Sequence, residues 1–160
     1  MRPSLILSAI ALCLLSTAVA AHAAEAQPER YVLAGVYAEG EGETPGAVFL
    51  DPDSRERRGD LATVRTLAVP DKPAPIGAWR MDHIVVVMEV DCARRTGRIM
   101  SARIYGQDGG LLGAGSRPDR PSLAAHDADR RAYDLACGAA VGDSRAFASR
   151  AAAIAWARSR

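Results

Sequence analysis

Three cysteines, a knot of arginines and, beyond the N-terminal run, two isolated histidines are the residues whose types could do chemistry in this chain of 160 residues. Cys13 lies inside an apolar N-terminal run, whereas Cys92 and Cys137 lie in the body of the chain. An even pair of thiols in an exported chain is expected to close a disulfide. Two free buried thiols are the alternative. A zinc site is not suggested, because there is no C-x-x-C and no nearby histidine pair. Arg94, Arg95, Arg98 and Arg103 gather around one turn and are the candidate contact surface for an anionic partner. The alternative is a turn that is simply solvated.

The catalytic signatures are missing. His83 and His126 sit in no ligand spacing, and there is no H-E-x-x-H and no G-x-S-x-G. Gly110-Leu111-Leu112-Gly113-Ala114-Gly115 has the glycines of a phosphate loop, but Ser116 and Arg117 follow where a lysine is needed. Glu39, Glu41 and Glu43 alternate with glycine without the spacing of an EF-hand. The reading is a chain with no catalytic residue, no metal and no cofactor. A small periplasmic hydrolase is the minority alternative, and it would require a cavity joining His83 or His126 to a carboxylate.

Compartment follows from the first 23 residues. Met1-Arg2-Pro3-Ser4 is a short basic start, Leu5 to Leu15 is apolar, and small residues follow up to Ala24. Ala21-His22-Ala23 and Ala18-Val19-Ala20 both fit the A-x-A rule, so residues 1–23 read as a signal peptide cleaved after Ala23, with Ala20 the second choice. An uncleaved anchor is the alternative, since the run from Leu5 to Ala21 approaches the length of a bilayer span. Leu12 is too large to precede a lipidated cysteine, so the chain is not expected to be a lipoprotein. After cleavage no transmembrane span is expected, and the chain is periplasmic, associated with the outer surface or secreted. Basic and acidic residues number 20 and 19. That balance argues against a nucleic-acid partner.

These groups must be positioned by short strands and a late helix. Tyr31 to Tyr37, Ala47 to Leu50 and Leu61 to Val69 read as strands, the second stopped by Asp51-Pro52-Asp53-Ser54. Ile84, Val86, Met88, Val90 and Cys92 share one face of a strand, and Val85, Val87, Glu89 and Asp91 the other. Arg98 to Tyr105 alternates again. Asp108-Gly109 is a hairpin turn, Leu111 and Leu112 open a short strand, and Gly113 to Ser122 reads as a linker. Asp127 is placed to cap a helix in which Tyr133 and Cys137 are neighbours, with Gly138 as its stop. A second helix is expected from Asp143 or Ser144, with a stripe of Phe147, Ala151 and Ile154 and with Trp156 off it. The fold class is α+β: a small antiparallel sheet of five or six strands followed by one or two C-terminal helices.

The strand ending in Val90-Asp91-Cys92-Ala93-Arg94-Arg95, the strand ending in Tyr105 with its Asp108-Gly109-Gly110 turn, and Tyr133-Asp134-Leu135-Ala136-Cys137-Gly138 together resemble the surface-adhesin protein E family of bacterial envelope proteins. The resemblance covers roughly residues 60–138. It implies an antiparallel sheet with a C-terminal helix tethered to one face by a disulfide, and a non-catalytic binding or structural role with a protein partner. Adhesion to a host or matrix protein is one form of that role, and a periplasmic accessory module serving another envelope protein is the other. The expected organisation is a signal peptide (1–23), an adhesin-like domain (24–138) and an Ala/Arg-rich helical tail (139–160). The oligomeric state is not legible.

Overall fold

The computed structural model describes residues 29–37, 44–123, 127–140, 142 and 144–160. The expected signal peptide, Glu39, Glu41 and Glu43, and His126 lie outside the described residues. Ten elements follow in order: β1 (Tyr31–Tyr37), β2 (Gly46–Arg58), β3 (Leu61–Pro70), β4 (Ala74–Ile76), β5 (Trp79–Asp91), β6 (Thr96–Gly106), β7 (Leu111–Leu123), α1 (Asp127–Ala136), β8 (Ala146–Phe147) and α2 (Arg150–Arg158). The described strands form one antiparallel sheet in the order β7-β6-β5-β3-β2-β1-β8, with β4 paired to β5. This is the expected α+β class.

Neighbouring side chains along β2 decide the layering. Val48 and Leu50 join Val32, Val64 and Val90 in a cluster under α1. Ala47 and Phe49 point to the other face and join Tyr31, Leu67, Val69 and Val85 under α2. Each helix therefore covers one face of the sheet. Strands buried on both sides read as unbroken apolar runs, which is what Ala47-Val48-Phe49-Leu50 is.

α1 lies on β1, β2 and the border of β3, burying Ala128, Ala132, Tyr133, Leu135 and Ala136. Gly35 permits this approach: a Cβ there would lie 2.8 Å from Ala128 Cα and Cβ. The helix ends at Gly138, whose φ of 102° suits glycine. The amides of Gly138 and Ala139 donate to the carbonyls of Leu135 and Asp134, the pairing of a Schellman stop. Arg55 and Arg57 donate to the carbonyls of Leu135 and Cys137, covering what the stop leaves open.

Three expectations need correction. β2 does not stop at Asp51; it crosses a bulge between Asp51 and Glu56 and pairs again through Arg58. The bulge accommodates Pro52, and local side chains satisfy the opened ladder: the Asp51 carboxylate accepts from the Asp53 amide, and the Ser54 hydroxyl accepts from the Arg65 amide. Gly113 to Ser122 is not a linker but the body of β7. Glycine and proline are tolerated there because β7 is an edge strand and pairs with β6 irregularly. The second helix begins at Arg150, because Ala146 and Phe147 instead pair with β1 as β8. Its buried residues are Ala153 and Ala157, and Trp156 lies on the packed side, 5.9 Å from Phe49 and 5.5 Å from Phe147 between ring centroids. The Ser149 hydroxyl caps it by accepting from the Ala152 amide.

Candidate contact surface

The disulfide fixes the site's frame. Cys92 follows β5 and Cys137 follows α1, their Cα atoms are 5.6 Å apart, and their sulfurs are bonded. The bond joins the sheet to α1 where Tyr133 lies over Gly97, a position at which a Cβ would meet the tyrosine hydroxyl.

The four arginines of the turn do not converge. Arg94 is held by its own turn, 3.0 Å from Asp91. The Asp91 carboxylate accepts from the Arg94 and Ala93 amides and from the Arg94 guanidinium, and these hydrogen bonds hold it below the usual carboxylate range. Arg95 reaches the other way, 2.8 Å from Asp134 on α1. Arg98 and Arg103 are exposed on β6 and make no ion pair with a described residue. Arg103 lies opposite Val85 and Arg98 opposite Glu89. Cross-strand partners share a face, so both arginines lie on the side of the sheet that carries α2.

On the α1 side, the same register puts Ile84 beside Ile104, Val86 beside Ala102 and Met88 beside Ile99. These side chains are half-buried; Met88 packs against the cluster under α1, whereas Ile84, Val86, Ala102 and Ile104 lie outside it. The β4–β5 hairpin adds Trp79 and Ile76, paired across its tip and 64% and 38% exposed. An exposed tryptophan beside an apolar sheet face that no described helix covers marks an interaction site better than scattered leucines do. Sequence reading missed this hairpin, although Gly77 between two apolar residues was the available signal.

His83 is 6% exposed, its Nδ1 lies 2.9 Å from Asp82 Oδ2, and its ring stacks on Tyr105 at 4.7 Å. The hydrolase alternative required such a carboxylate. Here the carboxylate also accepts from Arg158 at 2.7 Å. Burial raises the Asp82 carboxyl, but hydrogen bonds from His83 and Arg158 outweigh it and leave it below the usual range. Among the described residues these contacts bring no serine, threonine or cysteine to the pair, and Tyr105 meets His83 ring to ring. The arrangement ties the end of α2 to β5. At the start of α2, Arg150 makes the matching tie to Glu29, which also pairs with Arg65.

The family model for surface-adhesin protein E matches residues 37–138, more than half of the chain. The chain belongs to the surface-adhesin protein E family. The match begins earlier than the resemblance read from sequence, taking in β2, and it ends at the Gly138 stop of α1. β1 up to Val36, β8 and α2 lie outside it. No curated protein and no solved structure matches the chain. Membership in the surface-adhesin protein E family supports an adhesin-like role at the cell surface or envelope. No helix among the described residues is long and apolar enough to cross a membrane.

Proposed function

We propose that this chain is an exported, non-catalytic recognition protein that acts outside the cell by binding a protein partner. The observation that carries the reading is the half-covered sheet: α1 is locked over one half of its face by Cys92–Cys137, and the other half presents Ile84, Val86, Ile104 and the Trp79 hairpin. A scaffold that is rigid beside the contact surface loses little conformational entropy on binding. In this reading residues 1–23 are the cleaved signal, 24–138 the recognition domain and 139–160 a tail that braces its second face. Arg98 and Arg103, on the α2 side of β6, are contact residues for a partner that reaches around the β7 edge, whereas Arg94 and Arg95 serve the turn and the helix.

Protease accessibility on intact cells tests the reading. The chain is expected to be digested on intact cells at the same protease concentration that digests it after the outer membrane is opened. Protection until the membrane is opened would place it in the periplasm and turn the search to envelope partners.

A further inference from the structure

The two edges of the sheet are treated differently. β8 is two residues long, which blunts its edge. β7 is thirteen residues long and pairs only with β6 among the described strands. From Leu111 to Ser116 it carries no charge and no proline, the two devices that usually guard an exposed edge. Leu111 is 58% exposed. At the end of this stretch lies a crevice of about 410 Å³ lined by Ser116, Arg117, Pro118 and Asp119.

We infer that the β7 edge from Leu111 to Ser116 is a strand-addition site for an extended segment of a partner protein, one that alternates bulky apolar with acidic residues. The inference rests on the reading of the chain as a binding protein. Main-chain hydrogen bonds along an open edge supply affinity, and alternate side-chain slots supply specificity. The slots are visible here. Gly113 pairs with Ile104 and Gly115 with Ala102, so both glycines lie on the apolar side of the sheet. A Cβ built at either one meets nothing within 4 Å. An added strand would lay its side chains of one parity over these gaps, against Leu112 and Ile104. Bulky residues fill such gaps beside edge glycines.

The other parity faces Arg103, which lies opposite Ala114. Strands are about 4.8 Å apart, so the added strand stands about 10 Å from β6, a gap that an arginine and a glutamate span over the small alanine. The unpaired charge on this side selects acidic residues in the occupant. A second copy of the chain is a poor occupant, because antiparallel β7–β7 pairing would set the glycine-rich stretches against each other and leave the slots unfilled.

The test uses the full mature chain and a synthetic eight-residue peptide alternating valine or phenylalanine with glutamate. The peptide is expected to bind the wild-type chain. The double variant Gly113→Val, Gly115→Val, which fills the slots and keeps its melting temperature, is expected to weaken binding about tenfold or more. Arg103→Glu is expected to weaken binding of this peptide and to strengthen binding of one carrying lysine in place of glutamate. Equal binding to wild type and the glycine variant would overturn the proposal. So would a wild-type dimer, seen by sedimentation, that the same two substitutions dissolve, because the edge would then belong to a second copy. If the chain is digested on intact cells yet ignores the peptide, this occupant is excluded while the recognition reading stands. If the chain is protected on intact cells, the reading that it acts outside the cell falls, whatever the peptide does.

Discussion

Replacing Cys92 and Cys137 together by alanine is expected to lower the melting temperature by about 15 °C. The bridge spans a sequence separation of 45 residues. Closing a loop of that size removes about 4 kcal/mol of denatured-state freedom in the chain-entropy view. In a domain of this size each kcal/mol is worth about 3–4 °C. Net stability of single domains is about 5–15 kcal/mol, so the loss is a large share. The double replacement is preferable to a single one, because it leaves no lone thiol to form mixed disulfides. Thermal melts of both forms under non-reducing conditions measure the effect. A shift below about 3 °C would mean that α1 is held by its packing on Val32, Val48 and Leu50 rather than by the bond.

Ending the chain after Ser149 is expected to cost more than that and to leave a poorly packed protein. The truncation removes Ala153, Trp156 and Ala157 from the second face and exposes Tyr31, Phe49, Leu67 and Val69, now buried there. Loss of the tryptophan side chain alone is worth about 3 kcal/mol. The truncation also breaks the ties from Arg150 to Glu29 and from Arg158 to Asp82. The exposed face is expected to bind a hydrophobic dye such as ANS, with loss of near-UV signal. A truncated chain that melts like the full one would show that α2 is a passenger. The family match ends at residue 138, so the outcome also says whether this cover of the second face is integral to the chain's stability.

What sequence reading delivered depended on how local the physics was. The cysteine pair followed from counting thiols in a chain expected to be exported, and the face of β5 from strict alternation between Ile84 and Cys92. The Gly138 stop needed only the rule that a left-handed position favours glycine. β7 was misread because Gly113, Gly115, Pro118 and Pro121 weaken strand propensity, and whether they are tolerated depends on having no neighbour on one side. That is a property of the sheet order, not of the segment. Trp156 was placed off the helix stripe because the expected helix began too early and took its phase from Phe147. The arginine cluster looked like one site in sequence. Arg95, in a left-handed turn with φ 55°, reaches Asp134 on α1, whereas the bulge in β6 sets Arg98 and Arg103 together on the side of the sheet that carries α2.

The claim that joins these observations is that the sheet is covered by helices over β1, β2 and β3 and open along β7. Hydrogen exchange by residue tests it most directly. Exchange-limiting openings are rare where strands are paired on both sides and frequent at an unpaired edge. The outward-facing amides between Leu111 and Ser116 are expected to exchange at least about a hundredfold faster than those from Val85 to Val90, which are paired on both sides. Protection of the β7 amides equal to that of β5 would show that the edge is already covered, and the account of this surface as an open recognition site would be wrong.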